Sequence, residues 1–330
     1  MQQQKTSQLY DKYAAVDFYQ DRYSHGYMDE WPIEKKQRIF EVIRSLELPD
    51  VGEAIDFGCG NGVLTNVIKQ ALPRGWKVYG TDISTIAVEN AKKRYPECIF
   101  LAAGDSEFAS KKFDFLFTHH VLEHVYDLSH VLDEIDDLLK DEATILHILP
   151  CGNEGSFEHS ICLLRKDGVN ENLENRFFFE DEGHVRRLNT EQLNKLYRKK
   201  EFVLVKEYYS NQYYGAINWI TRSGPGFVRF LTDTSSALDE NARRELTILR
   251  YKLFFVYAMR YPTAFVERKL HEQGKTFRDC IFLTLGFPFY LFSKPMDSFL
   301  KGKARDEWQK RKTERNGSEM YLFFKRHGTP

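Results

Sequence analysis

Short apolar runs alternate with segments of helical periodicity between residues 54 and 149. The runs predict strands over Ala54–Gly58, Lys77–Ile83, Cys98–Ala103, Phe113–Thr118 and Ala143–Leu149. The segments between them predict helices that end near Ala71, span Ala87–Arg94 and lie around Leu128–Leu139. Strands that alternate with helices at this spacing predict an α/β fold with a parallel, doubly wound, Rossmann-like sheet.

The first 48 residues predict helical structure outside this alternation. Apolar residues recur at helical spacing from Ile33 to Leu46, and Tyr19, Tyr23 and Tyr27 recur at every fourth position. We favour an amphipathic helix that packs on the main domain. The alternative is that residues 1–48 form a helical cover over a ligand site.

The regular alternation of predicted strands and helices ends after Pro150. Residues 151–189 carry no regular pattern, Leu193–Tyr197 continues a capped helix, and Phe202–Tyr209 predicts a sixth strand. We expect the β-prone terminal run Met320–Phe324 to pair beside the sixth strand, or to lie antiparallel between it and the fifth. Residues 49–210 and 317–330 then form one domain, and residues 211–316 are an insertion.

The insertion is mainly helical in pattern. Ala237–Met259 predicts a long helix with Pro262 beyond its end. Ile281–Phe292 is the most apolar segment, but Gly286 and Pro288 interrupt it and it is too short to span a bilayer. Eight basic and four acidic residues follow between Lys294 and Arg315. We favour a helical lid with a solvated tail; the alternative is peripheral contact of residues 280–315 with an anionic membrane.

A glycine turn follows the first predicted strand, in Asp56-Phe57-Gly58-Cys59-Gly60-Asn61-Gly62. Gly58 and Gly60 permit a sharp turn and a close approach of the backbone to a ligand. The third glycine comes one position too early for the dinucleotide pattern G-x-G-x-x-G. A carboxylate at Asp56 disfavours a pyrophosphate and suits a ligand with an ammonium group. The turn therefore indicates an amino-acid-bearing nucleoside rather than NAD.

Three carboxylates follow three successive strands. Asp56, Asp82 and Asp105 all come at carboxyl ends, where ligands bind in parallel sheets. A carboxylate after the second strand can accept both ribose hydroxyls, and one after the third can accept an adenine amine. Each residue alone could be a turn or capping residue, but together with the glycine turn they predict a nucleoside site.

These motifs, with the segment Phe113–Val125, resemble the class I S-adenosylmethionine-dependent methyltransferases. The resemblance implies a seven-stranded sheet with an antiparallel last strand and S-adenosyl-L-methionine as the cofactor. It implies that the glycine turn holds the methionine part, that Asp82 holds the ribose, and that Asp105 and Ser106 approach the adenine. The implied cofactor-binding residues are Asp56, Gly58, Cys59, Gly60, Asp82, Ile83, Asp105, Ser106 and His119. The insertion is not part of the common pattern, so the resemblance does not identify the acceptor.

Several histidines lie near the expected mouth of the site. Methyl transfer to oxygen needs a base, and histidine is the side chain most often tuned to that role. His124 is the first candidate because similar sugar-amine methyltransferases place a catalytic histidine there, and His120 and His184 follow. The alternative for His124 is a structural role at a helix start. No clustered Asp/Asn triplet occurs in the sequence, so we expect no metal-assisted transfer.

Composition narrows the function further. The net charge of −1 disfavours nucleic acid as a partner, and five cysteines without a C-x-x-C pair suit a reducing cytoplasm and disfavour zinc. We expect a cytoplasmic methyltransferase that acts on oxygen or nitrogen of a small-molecule, sugar or lipid-linked acceptor. The alternative is a methyltransferase at the membrane periphery, with residues 280–315 in contact with the bilayer. The alternatives are a non-catalytic S-adenosylmethionine-binding protein and, disfavoured by the glycine turn, an NAD-dependent oxidoreductase. The oligomeric state stays open.

Overall fold

One mixed sheet of seven strands dominates the computed structural model, which describes residues 12–108, 111–271 and 276–326. The strands of this chain are β1 (Val51–Phe57), β2 (Gly75–Asp82), β3 (Ile99–Ala102), β4 (Phe113–His119), β5 (Leu139–Pro150), β6 (Val169–Asn170), β7 (Arg176–Phe177), β8 (Phe202–Ser210) and β9 (Glu319–Arg326). The sheet order is β3-β2-β1-β4-β5-β9-β8, and β6 pairs with β7 alone. Strands β1 to β5 are parallel, as predicted.

Strand β9 lies antiparallel between β5 and β8, so the second of the two placements for the terminal run is confirmed. Residues Met320 to Phe324 are fully buried on both faces of the sheet. A continuous apolar run fits this central position because neither face meets water. The antiparallel direction brings Glu319, the first residue of β9, next to Pro150 at the end of β5.

Eleven α-helices occur in the described part of the chain. They are α1 (Lys12–Ser24), α2 (Ile33–Arg44), α3 (Val63–Ala71), α4 (Thr85–Arg94), α5 (Leu128–Asp137), α6 (Phe157–Cys162), α7 (Thr190–Arg198), α8 (Tyr214–Arg222), α9 (Pro225–Leu231), α10 (Glu240–His271) and α11 (Phe277–Arg311). Helices α2 and α3 contribute to one hydrophobic core on the sheet, whereas α5 and α7 contribute to the other. Two covered faces are the arrangement that a doubly wound sheet requires.

Residues 151–189, for which no regular pattern was evident, contain α6 and the short β6–β7 pair. They are held by the buried guanidinium of Arg187, which donates to Glu158 at 3.1 Å, to Glu180 at 2.7 Å and to the carbonyl of Cys151 at 2.8 Å. A long segment with little secondary structure of its own thus depends on buried charge pairs for its conformation.

The helical region before β9 differs from expectation in its two longest helices. Pro262 lies inside α10 rather than beyond its end, and α11 continues through Gly286 and Pro288, so both predicted interruptions were wrong. The two helices pack against each other, and their buried polar contacts override the local cost of proline. Arg260 donates to Asp297 at 2.7 Å, and the hydroxyls of Thr263 and Ser293 are 2.6 Å apart.

Within the described residues, no helix combines the length and the apolar character needed to cross a membrane.

Candidate active site

The glycine turn lies where β1, β2 and β4 reach the same edge of the sheet. Gly58 has a φ of 82°, and a Cβ there would lie 2.4 Å from a methyl of Val121 in the loop after β4. Gly60 has a φ of 50°, and its Cβ would lie 2.7 Å from the hydroxyl of Tyr23. The turn therefore needs glycine at both positions, for backbone conformation and for space.

Asp82 fastens this turn to the end of β2. Its carboxylate accepts hydrogen bonds from the backbone N–H of Gly60 at 2.8 Å and of Ser84 at 2.9 Å. Burial raises the pKa of Asp82, although these backbone donors oppose the shift. Ile83, beside it, is 41% exposed. The contact of Asp82 and Ile83 with a ribose stays a prediction.

Asp56 lies within β1 rather than in the turn, and its side chain is 2% exposed. It accepts a hydrogen bond from the hydroxyl of Thr65 in α3 at 2.6 Å. Burial raises the pKa of Asp56 to about 7, the Thr65 hydroxyl opposes this, and Asp82 adds to it. The carboxylate therefore links the strand to the following helix, and its contact with an ammonium group stays a prediction.

The other predicted cofactor-binding residues surround this turn. Cys59 is buried, and its N–H donates to the carbonyl of Thr81 at 2.9 Å. Asp105 is half-buried after β3 and accepts from the N–H of Glu107 at 3.0 Å, while Ser106 is exposed. These positions leave the expected adenine contacts untested.

Helix α1 crosses this edge of the sheet. The Tyr19 hydroxyl lies 2.8 Å from Nδ1 of His124, and Gln20 accepts from the hydroxyl of Ser84 at 2.9 Å. Arg22 pairs with Asp181 at 2.8 Å. The helix thus touches the loops after β2 and β4 and the segment before α7. Residues 1–11 of the predicted cover lie outside the described residues.

His119 and His120 follow one another at the end of β4, and both approach Glu319. Nζ of Lys35 donates to Glu319 at 2.6 Å and to Nε2 of His119 at 3.1 Å. Nε2 of His120 lies 3.0 Å from the same carboxylate. Burial and the Lys35 ammonium lower the pKa of His119. The pKa of His120 is raised, because Glu123 and Glu319 outweigh its burial and Lys35.

The second histidine group consists of His124 and His184, whose ring centroids lie 4.5 Å apart in an edge-to-face arrangement. His124 lies in a turn ahead of α5 and not at the start of that helix. Burial lowers the pKa of His124 to about 4, although Glu123 opposes the shift. Nδ1 of His184 lies 3.3 Å from a carboxylate oxygen of Glu180.

Backbone contacts hold these two histidines together. The N–H of Val185 donates to the carbonyl of Glu123 at 2.9 Å. Arg186 donates to the carbonyl of Tyr126 at 3.0 Å and also to that of Val125. The turn after β4 and the segment before α7 therefore form one unit, although some sixty residues separate them in the sequence.

The sequence motifs did not identify Lys35, Glu123, Glu180 or Glu319 as site residues. Lys35 lies in a polar stretch of α2, and Glu319 precedes the apolar run that marked β9. The only signal that these residues carry in the sequence is that each lies in or beside a predicted helix, strand or motif. Many charged residues on the surface have the same signal. Their burial beside the histidines arises from the packing of distant segments.

A doubly wound sheet with an antiparallel last strand, a glycine turn after β1 and a carboxylate at the end of β2 defines the class I methyltransferase fold. The family described as "Methyltransferase domain" matches residues 25–207, which is more than half of the 330 residues. The chain therefore belongs to this family. The resemblance to class I S-adenosylmethionine-dependent methyltransferases is confirmed, and membership supports S-adenosyl-L-methionine as the cofactor.

The individual proteins that resemble this chain have low sequence identity to it. Trans-aconitate 2-methyltransferase of Enterobacter sp. (strain 638) is 26% identical over 148 residues, or 44% of this chain and 57% of that protein. The chain thus spans little more than half the length of this curated relative.

Two solved structures are similar at TM-scores of 0.43. Magnesium protoporphyrin IX methyltransferase (ChlM) from Synechocystis PCC 6803, with bound SAH, is 20% identical and covers 60% of this chain and 92% of its own. Phosphoethanolamine N-methyltransferase 2 of Haemonchus contortus, in complex with S-adenosyl-L-methionine, is 12% identical and covers 89% and 53%. Neither similarity identifies the acceptor of this chain.

Asp56→Asn should gain stability relative to wild type as the pH rises from about 4 to about 7. The raised pKa of about 7 means that the native state keeps a proton that the unfolded chain releases above about pH 4. Stability therefore falls across this window by up to about 1.4 kcal/mol per pH unit, and an amide removes that loss. Urea denaturation at several pH values measures the difference.

Asp141→Asn is the matched control, because Asp141 is exposed. It should leave the pH dependence of the free energy of unfolding unchanged. Parallel pH curves for wild type and Asp56→Asn would contradict the raised pKa of Asp56.

Proposed function

We propose that this chain transfers a methyl group from S-adenosyl-L-methionine to oxygen or nitrogen of a small-molecule, sugar or lipid-linked acceptor. The observation that carries the proposal is the glycine turn, tied by Asp82 to the end of β2 and bordered by the histidines after β4. The proposed nucleoside site therefore lies at the same edge of the sheet as the polar side chains that suit an acceptor.

The residues at this edge fit the cofactor. Glycine at positions 58 and 60 allows Val121 and Tyr23 to approach the turn closely, because a Cβ at either position would collide with them. Asp82 is fixed by two backbone donors at the carboxyl end of β2, the position that suits ribose hydroxyls. In this proposal α1 closes over the bound nucleoside, with Tyr23 above Gly60.

Methyl transfer requires little covalent chemistry from the protein itself. S-adenosyl-L-methionine would supply a methyl group activated on a sulfonium: the acceptor lone pair would bond to the methyl carbon in line with the S–C bond, whose electron pair would leave with S-adenosylhomocysteine. Alignment in a closed site supplies roughly 7–11 kcal/mol in favourable intramolecular cases. An oxygen acceptor must also lose its proton. We assign that step to one of His120, His124 and His184, which border the loop after β4.

Calorimetry should show binding of S-adenosyl-L-methionine and S-adenosylhomocysteine but not of NADH. The glycine spacing and the carboxylates favour a nucleoside with an ammonium group over a pyrophosphate. Tight binding of NADH without a response to the other two ligands would overturn the proposal. Binding without any transfer of labelled methyl to polar or lipid extracts would instead support the non-catalytic alternative.

Replacing the base histidine with alanine should lower methyl transfer by roughly 10²- to 10⁴-fold and leave the affinity for S-adenosyl-L-methionine nearly unchanged, because a base acts on the acceptor. The measurement compares labelled methyl transfer with calorimetry for His120→Ala, His124→Ala and His184→Ala. His130→Ala is the control, since His130 is exposed and pairs only with Glu134 among the contacts described. Loss of cofactor affinity would assign that histidine a structural role.

The helical region before β9 is relevant to the kind of acceptor. Several aromatic residues of this region, including Trp219, Phe227 and Phe254, pack in a cluster with Phe178 and Phe179. Helix α11, in contrast, carries large apolar side chains on its surface. The exposed ones are Phe277, Ile281, Phe282, Leu285, Phe287, Phe289, Leu291, Phe292 and, further along the helix, Phe299.

An exposed apolar surface of this extent marks an interaction site. We assign it to the surface of an anionic bilayer, because exposed arginines, Arg268 and Arg278, lie beside it and the following segment to Arg315 carries twice as many basic as acidic residues. Contact with a bilayer would bring a lipid-linked acceptor to the protein.

The double variant Phe289→Ser with Phe292→Ser should weaken binding to anionic vesicles at least tenfold. These side chains are 66% and 74% exposed, and burying one phenylalanine contributes roughly 1.5–3 kcal/mol. Co-sedimentation with phosphatidylserine-containing and neutral vesicles measures the effect. Tyr251→Ser is the control, because Tyr251 is 72% exposed and belongs to α10 rather than to α11.

Failure to sediment with either vesicle would overturn the membrane assignment and leave the helical lid. Self-association abolished by the same double variant would assign the surface to a second copy of the chain.

A further inference from the structure

Two groups of histidine and carboxylate side chains at the candidate active site have the spacing of metal ligands. One consists of His119, His120 and Glu319, and the other of Glu123, His124 and His184. In each group one potential ligand atom per residue lies within 4.8 Å of the others. The surroundings of the two groups differ, and this difference decides which of them can take a cation.

The first group already contains a positive charge. The ammonium of Lys35 lies 2.6 Å from a carboxylate oxygen of Glu319 and 3.1 Å from Nε2 of His119. A divalent ion would have to displace or repel this ammonium. The chain's own lysine therefore takes the place that a metal would need.

The second group contains a buried carboxylate without hydrogen bonds. Glu123 is 1% exposed, and neither of its side-chain oxygens accepts a hydrogen bond among the described residues. Nδ1 of His120 lies 3.2 Å from one oxygen, which is an ion-pair distance, and leaves the other oxygen unpartnered. His120 compensates this charge from one side only, and the second oxygen of the buried carboxylate is left for another cation.

The two histidines of this group have outer partners of the kind that metal ligands have. The Tyr19 hydroxyl lies 2.8 Å from Nδ1 of His124, and a Glu180 carboxylate oxygen lies 3.3 Å from Nδ1 of His184. Glu180 is itself held by Arg187 at 2.7 Å. Such contacts orient the imidazole and leave Nε2 of each ring for a metal.

We propose that Glu123, His124 and His184 bind one divalent transition-metal ion. Two imidazoles and one carboxylate are the donor set of open zinc sites, in which three protein ligands leave a position for water or a substrate oxygen. Both histidines are partly exposed, so the site is accessible to the ion and to an acceptor. With the ion bound, His124 and His184 are ligands, so His120 is the histidine left to act as the base of the proposed transfer. Metal binding itself goes beyond that transfer and is measured without it.

The ligands are held in place before any ion binds. The N–H of Val185 donates to the carbonyl of Glu123 at 2.9 Å, and Arg186 donates to carbonyls of the turn that carries His124. Preorganisation lowers the entropic cost of assembling ligands from two distant segments. No metal was expected from the sequence, which has no clustered Asp/Asn triplet. His184 lies far from the Glu123-His124 pair along the chain, so no local motif marks this group.

The test is direct titration of the chelator-treated protein with Zn²⁺ by calorimetry, with metal content measured after dialysis. We expect one ion per chain for wild type and at least a tenfold loss of affinity for Glu123→Gln and for His184→Ala. Glu180→Gln should lower the affinity by roughly 10- to 100-fold, because its carboxylate orients His184.

His130→Ala is the matched control, since His130 and Glu134 form an exposed His–Glu pair with a 3.2 Å separation. It should bind zinc as wild type does, and binding of S-adenosylhomocysteine reports whether each variant is folded. Absence of zinc binding by folded wild type, or equal binding by wild type and His184→Ala, would overturn the metal site. Either result would leave the methyltransferase proposal standing, because that proposal is judged by cofactor binding and methyl transfer.

Discussion

The antiparallel insertion of β9 between β5 and β8 places the carboxylate of Glu319 at the edge where the parallel strands end. One oxygen of Glu319 receives Lys35 and lies within 3.0 Å of His120, and the other receives the hydroxyls of Ser210 and Tyr321. Because these groups are buried, each depends on the others for compensation of charge. The last strand thereby organises the ends of β4 and β8 and fixes α2 against them.

Similar buried polar contacts join the active-site edge to the helical region. His184 contacts Glu180, which pairs with Arg187, and Arg187 pairs in turn with Glu158. Glu158 also accepts from the indole N–H of Trp219 in α8 at 2.8 Å. Residues that carry no pattern in the sequence thus connect the histidine group to helices outside residues 25–207, the part that the family model matches. This connection ties the position of the histidine group to the packing of α8.

Local and tertiary preferences compete most clearly in α10 and α11. Proline and glycine inside a helix disfavour it locally, and on that basis both helices were expected to end or break. The buried Arg260–Asp297 pair and the Thr263–Ser293 contact hold the two helices together through these positions. Packing therefore decided the length of the helices, while it left the apolar surface of α11 exposed to water.

The sequence by itself determined the alternation of strands and helices, the glycine turn and the carboxylate of Asp82, because short-range periodicity and backbone conformation specify them. It also indicated that Met320–Phe324 is a strand, but it left two placements for this strand open, and the structure selects the one between β5 and β8. Only the tertiary structure brought Lys35 and Glu319 beside His119 and His120, and His184 beside Glu123 and His124. The reason is physical: burial and the distance between charges depend on segments that are far apart in the chain, and neither leaves a local pattern.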